Sequence, residues 1–227
     1  MASKKTALVI SAHSADFVWR CGGAIALHEE RGYDVTVVCL SYGERGESAK
    51  LWKQEGMTLE KVKTERRKEA ENAAAALGAS DIRFFDLGDY PLTLDRDAKD
   101  RMVDVIREVQ PSFMLSHSKW DPYNTDHMAT TQFAIECRMI AQAWGHNPGQ
   151  KVLGAPQLYL FEPHQTEQMG WKPDTFLDVE CKLIQCSTHW ALFRKEDGHC
   201  VKGPCVGKTL TAFPITIDDD GMVLFGE

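Results

Sequence analysis

At 227 residues the chain is long enough to bury a sizeable core and fits one domain with a small appendage. Its 43% hydrophobic and 26% charged residues exclude a wholly disordered chain, and no stretch approaches the roughly 20 apolar residues of a membrane span. A formal net charge of -7 sets the overall field against nucleic acid and anionic membranes; an anionic substrate would need local arginine or lysine to overcome it.

Residues 6–12 (TALVISA) are a short, nearly continuous apolar run, suited to a strand covered on both faces of a parallel sheet. Residues 16–31 read as a helix ended by Gly32, and 34–40 (DVTVVCL) as a second strand rich in β-branched residues. A polar, glycine-containing loop, SYGERGES, fills 41–48. Residues 59–77 form a long helix stopped by Gly78, and 82–86 a third strand. In 96–109 Met102, Val105, Ile106 and Val109 fall at helical spacing, and Pro111 ends that helix. A fourth strand at 113–116 leads through a polar loop, 117–126, to a helix from about 127 to 144. A further strand covers 158–161, followed by the loop EPHQTEQ. Strands alternating with helices imply right-handed crossovers and a doubly wound, mostly parallel α/β sheet with helices on both faces.

Lys4 and Lys5 precede the first apolar run, but that run is short for a signal peptide and no small-residue cleavage site follows. The expected setting is therefore the cytoplasm, with the seven cysteines as free thiols. Cys181, Cys186, Cys200 and Cys205 are spaced C-x₄-C-x₁₃-C-x₄-C. That spacing admits a structural zinc site, although it is looser than the usual pairing.

Ligands in doubly wound folds sit beyond the carboxyl ends of the strands, so polar clusters just after strands carry the functional signal. The first strand ends in His13-Ser14-Ala15-Asp16, which can turn an imidazole and a carboxylate toward one point above the sheet. Asp16 equally suits a helix N-cap beside a surface histidine. After the fourth strand come His117 and DPYNTDHMAT, where Asp126 and His127 open a helix. Here too Asp126 suits an N-cap and His127 a first-turn residue. Two such clusters at one sheet edge point to a metal site, and three ligands with open positions are the pattern of a catalytic zinc.

These residues resemble the PIG-L/LmbE-type zinc deacetylases. The family's opening Ala-His-Pro-Asp-Asp corresponds to Ala12-His13-Ser14-Ala15-Asp16, followed by Cys21-Gly22-Gly23, and its Gly-Glu-Arg-Gly-Glu loop to residues 43–47. Its His-Pro-Asp-His corresponds to Asn124-Thr125-Asp126-His127. The resemblance implies a Rossmann-like fold, Zn²⁺ as cofactor and His13, Asp16 and His127 as its ligands. It covers residues from about 5 to 179, which places a catalytic domain at 1–180 and leaves 181–227 as a C-terminal segment packed on it.

Two departures bear on the chemistry. Ala15 stands where the deacetylases carry their general base, and Asn124 where they carry the first histidine of the second motif. A general base is worth about 10²–10⁴ in rate, so losing it while keeping the ligands argues against amide hydrolysis. The stretches AHSADFVWRCGG, SYGERGES, FFDLGDYPL and FEPHQTEQMGWKPD resemble the 4-oxalomesaconate hydratase branch of the family, found in bacterial gallate degradation. That branch implies a zinc-dependent hydro-lyase adding water to 4-oxalomesaconate, with zinc acting as a Lewis acid or generating the attacking hydroxide.

With Ala15 unable to take a proton, His164 is the first candidate acid or base, because imidazole titrates near neutrality, and Glu47 the second. Asp126 is expected to support a ligand. Arg20 and Arg45 are the best carboxylate clamps, although Arg20 suits a solvated helix face and Arg45 a loop anchor. His117 and Asn124 are expected to orient substrate. The expected partners are a small polycarboxylate and further copies of the chain, with neither nucleic acid nor membrane. An N-deacetylase of an amino-sugar conjugate, with Asp126 or His164 replacing the missing base, is the alternative enzyme; a zinc-binding remnant without catalysis is the non-enzymatic one.

Overall fold

The aliphatic run at the start of the chain becomes the central strand of a sheet because both of its faces are covered. In the computed structural model, β1 (Thr6–Ser11) sends Leu8 and Ile10 to one side and Ala7 and Val9 to the other, all buried. Around it lie β2 (Asp34–Cys39), β3 (Asp81–Phe84), β4 (Phe113–Ser116) and β5 (Gln157–Leu160). All pairings are parallel, in the order β3-β2-β1-β4-β5. The structure describes residues 5–175 and, beyond them, 177, 183–185, 192–194, 197–202, 206–209, 215–217 and 223–225.

Helices cover both faces. Leu8 and Ile10 meet Met102, Val103 and Ile106 of α4 (Arg96–Val109) and Phe133, Ala134 and Cys137 of α5 (Thr125–Ile140). Ala7 and Val9 meet Phe17 and Ile25 of α1 (Asp16–Glu30) and Ala70 and Ala74 of α3 (Leu59–Leu77). The alanine-rich half of α3 is thus the part that lies close against α1. A four-residue helix, α2 (Ala49–Trp52), is too short to leave a periodic signal and was not anticipated.

Of the two readings open for Asp16 and Asp126, the capping one does not hold: neither is an N-cap. Ala15 precedes α1 with no side-chain cap, and Asn124 caps α5 by accepting the Asp126 N–H at 3.1 Å. So α5 begins at Thr125, earlier than expected, and both aspartates are released to face the sheet edge.

Because β1 is flanked by β2 on one side and β4 on the other, the chain reverses its winding direction there. The carboxyl ends of β1 and β4 therefore splay apart and leave a crevice at the switch point. His13 and Asp16 follow β1, and the segment from His117 to His127 follows β4.

The chain divides into two compact units, Met1–Phe176 and Leu177–Glu227. In the second, β6 (Leu183–Gln185), β7 (Leu192–Arg194) and β8 (Cys200–Lys202) form an antiparallel sheet, and β9 (Ile215–Ile217) pairs with β10 (Val223–Phe225). Cys200 is buried; Cys181, Cys186 and Cys205 lie outside the described residues. Among the described residues no helix is long and apolar enough to cross a membrane.

Phe133 ties the helix bearing His127 to the sheet, and it is 2% exposed. Phe133→Ala should cost about 3–5 kcal/mol of stability. A urea unfolding curve with a lower midpoint and unchanged slope checks this.

Candidate metal centre

The Asp16 carboxylate organises the crevice. Its Oδ2 accepts the backbone N–H of His13 at 2.9 Å and lies 2.9 Å from His13 Nδ1. Its Oδ1 lies 3.3 Å from His127 Nε2. All three residues are buried, and one donor atom from each lies within 4.8 Å of the others. Ligands about 2.0–2.2 Å from a tetrahedral ion sit about 3–3.5 Å apart, so this set fits a divalent metal. His127 Nε2 points the same way: it is buried, and among the described residues it has Asp16 Oδ1 at 3.3 Å but no well-formed hydrogen bond. A buried imidazole nitrogen in that position is open to a ligand.

The far nitrogen of each histidine is held by another carboxylate. His127 Nδ1 lies 2.9 Å from Asp121 Oδ2, and His13 Nε2 lies 3.3 Å from Asp126 Oδ2. Asp126 is itself fixed by the N–H groups of Tyr90 and Leu92, at 2.8 and 3.1 Å. Carboxylates in this position orient imidazole ligands and raise their basicity. Asp121, Asp126 and Tyr90 thus tie the segment after β4 to the loop after β3.

Asp121 has a second client. Its Oδ2 lies 3.0 Å from His164 Nδ1 and accepts the His164 backbone N–H at 3.2 Å. Asp121, His127 and His164 also come within metal-binding distance of one another. We read them as a hydrogen-bonded relay, because Asp121 already occupies both Nδ1 atoms. The His127 and His164 rings stack at 5.1 Å between centroids and 6° between planes.

The charges follow from this crowding. Burial alone would lower the His13 imidazole, but hydrogen bonds to Asp126, Asp16 and Glu47 hold it well above the ordinary histidine range. Burial would raise Asp16, yet His117, His127 and His13 keep it well below the ordinary carboxylate range. Burial would also raise Asp121, which His127 and His164 pull down. The crevice thus gathers the carboxylates of Asp16, Asp121, Asp126 and Glu47, whose negative charge a cation would neutralise.

Each remaining expected residue has a definite place. Glu47 Oε1 lies 3.3 Å from His13 Nδ1, and its Oε2 is buried without a hydrogen bond. A Cβ on Gly43 would lie 2.8 Å from that Oε2 and 3.3 Å from the His13 Cβ, so glycine lets the loop approach this closely. Arg20 donates through Nη1 to the Pro163 carbonyl at 3.3 Å, beside His164, and its Nε is buried without a hydrogen-bond partner. Arg45 donates to the Asp89 carbonyl at 2.8 Å while Asp89 accepts the N–H groups of Arg45 and Gly46. Its guanidinium clasps two loops together. His117, expected against substrate, lies behind His127 with ring centroids 4.0 Å apart and is 1% exposed. Its Nε2 accepts the Ala12 N–H at 3.0 Å, and burial pushes its pKa down, so it is a neutral ring buttressing His127.

Residues 8–138 match the family described as PIG-L, GlcNAc-PI de-N-acetylase. The chain belongs to the PIG-L family. Within it, the chain is 62% identical over 176 residues to a 4-oxalmesaconate hydratase of Pseudomonas putida, covering 78% of this chain and 68% of that one. Among solved structures it resembles the 4-carboxy-2-hydroxymuconate hydratase of Pseudomonas putida, with 63% identity and a TM-score of 0.74 over 77% of this chain and 72% of that one. It also resembles the N,N'-diacetylchitobiose deacetylase of Pyrococcus horikoshii at 25% identity and a TM-score of 0.67, over 78% and 65% of the two chains. Against the PIG-L motif, Ala15 presents only a methyl group at the start of α1, and Asn124 spends its side-chain oxygen on capping α5.

Asp121 and Tyr90 were not found from sequence. Asp121 lies six residues before His127, a spacing without helical or strand meaning, and Tyr90 reaches the site only through the fold of its loop. Asp121→Asn removes the negative charge whose one oxygen holds both imidazoles and should weaken divalent-metal binding about 10–100-fold. Metal titration against a competing chelator measures this.

Proposed function

We infer that the protein is a zinc-dependent hydro-lyase that adds water to 4-oxalomesaconate, a tautomer of 4-carboxy-2-hydroxymuconate, giving 4-carboxy-4-hydroxy-2-oxoadipate in gallate breakdown. The observation that carries this is the 62% identity to the Pseudomonas putida hydratase over 176 residues, 78% of this chain. The side chains agree with it. The ligand set is intact, while the position that serves amide hydrolysis is an alanine.

His13, Asp16 and His127 would hold the zinc, which would supply Lewis-acid polarisation of the conjugated system. The remaining work falls to the chain. Hydration places the water oxygen on one alkene carbon, passes one of its protons to a base, and returns a proton to the neighbouring carbon. Glu47 is the group to take the first proton: a carboxylate accepts only, and this one is held at the ligand set, with Oε1 3.3 Å from His13 Nδ1 and Oε2 3.6 Å from Arg66 Nη2. His164 is the group to deliver the second. Asp121 holds its Nδ1, which leaves Nε2 for exchange, and its side chain is 39% exposed. Asp126 acts through His13, whose ring it orients.

Arg20 is the clamp for a substrate carboxylate, because its buried Nε donor has no hydrogen-bond partner among the described residues. Arg45 serves by holding the Glu47 loop. Asn124 lies at the rim of the crevice, and His117 supports it from behind. An N-deacetylase reading rests on more distant likenesses, such as the 25% to the diacetylchitobiose enzyme, and meets a methyl group where its base belongs.

The purified, zinc-loaded protein offered 4-oxalomesaconate should bleach its conjugated ultraviolet band, and offered N-acetyl sugars should release no amine. Amine release without bleaching would overturn the hydratase reading. His164→Ala should lower kcat about 10²–10⁴-fold with zinc content unchanged. Turnover near wild type in that variant would assign the proton to another group.

A further inference from the structure

Tyr90 is a large aromatic residue, 51% exposed, yet it is held from three sides. Its ring stacks on His13 at 5.7 Å between centroids and 25° between planes. Its other flank lies flat against Gly46: a Cβ there would come within 2.1 Å of the Tyr90 ring, so no other residue at position 46 leaves room for it. Its hydroxyl lies 3.1 Å from Asn124 Nδ2. The residue also holds a left-handed backbone, with φ of 49°, which a bulky residue adopts only when its surroundings impose it. An exposed ring this firmly placed beside a metal-ligand candidate is built to meet something.

The direction of the hydroxyl contact decides what it can meet. The Asn124 amide has one oxygen and one nitrogen, and its oxygen is committed to the Asp126 N–H at the start of α5. Its nitrogen must therefore face Tyr90. An amide nitrogen only donates, so the phenol oxygen accepts and cannot send its own proton to Asn124. That proton is left to donate away from Asn124, on the exposed side of the ring. Asn124 thereby sets Tyr90 as a hydrogen-bond donor toward the crevice.

We propose that the Tyr90 hydroxyl is a substrate-binding donor that takes a carboxylate or enolate oxygen of the polycarboxylate, with Asn124 as the positioning residue that aims it. The inference rests on the hydratase reading. It gives a purpose to the asparagine at this place in the motif: the side chain that carries no proton-transfer chemistry of its own orients one that binds. It also supplies a neutral donor at the rim facing a polyanionic substrate, where a further carboxylate would repel it.

The test compares wild type, Tyr90→Phe, Asn124→Asp and the double variant on 4-oxalomesaconate at equal zinc content. Tyr90→Phe keeps the ring and its stacking but removes the donor. It should lower kcat/KM roughly 10–100-fold, mostly through KM, the worth of one hydrogen bond to a charged acceptor. Asn124→Asp keeps the oxygen that caps α5 but offers an acceptor to the phenol, drawing its proton inward. It should show a comparable loss, and the double variant should be no worse than either single one. Wild-type kcat and KM in Tyr90→Phe overturn the proposal while leaving the hydratase reading in place. So does a loss of activity accompanied by a lowered Tm or lost zinc, which assigns Tyr90 a packing role only. A wild-type protein without hydratase turnover overturns both.

Discussion

One carboxylate, that of Asp16, holds the site together. It is buried, it lies against His13 and His127, and it accepts the backbone N–H that fixes where the chain leaves β1. A carboxylate buried this deeply is tolerated only when opposite charge and hydrogen bonds surround it. That requirement brings three imidazoles from two different strand ends to within a few ångströms of one another. The positions of α1 and α5, the burial of His117 and the negative character of the crevice all follow from satisfying that single group.

The rest of the first unit converges on the same edge. Every strand of the parallel sheet contributes through the loop at its carboxyl end: His13 and Asp16 after β1, Glu47 after β2, Tyr90 after β3, Asp121 and His127 after β4, and His164 after β5. These loops are tied to one another more than to solvent. Asp126 grips the backbone of Tyr90 and Leu92, Asp89 grips that of Arg45 and Gly46, and Asp121 grips His164. Acidic side chains accepting backbone N–H groups do most of this work. An acidic chain with a net charge of -7 thus uses part of that charge as internal scaffolding.

Much of this was legible in the sequence, for physical reasons. The helices at 59–77 and 96–109 were bounded correctly because Thr58, Gly78, Asp95 and Pro111 are local signals that act within a turn of where they stand. The trio His13, Asp16 and His127 stood out because two polar clusters followed two apolar strands. The sequence left matters open where a side chain's partner is set by the fold. Asp16 and Asp126 suited N-caps as well as site residues by position; a neighbouring alanine and asparagine take the cap places, and the aspartates turn to the crevice. Arg45 looked like a clamp for substrate and is committed to Asp89. Tyr90 gave no signal, since its place depends on a glycine in one loop and an asparagine in another.

The double duty of Asn124 has a consequence for how such sites diverge. Asparagine is among the strongest N-cap residues, and a histidine offers no comparable side-chain oxygen. The exchange that removes a hydrolytic group from the family's motif is therefore the same exchange that seals the first turn of the helix carrying His127. A histidine at position 124 would give up a helix cap together with the Tyr90 contact, so stability and site chemistry cannot be altered independently there.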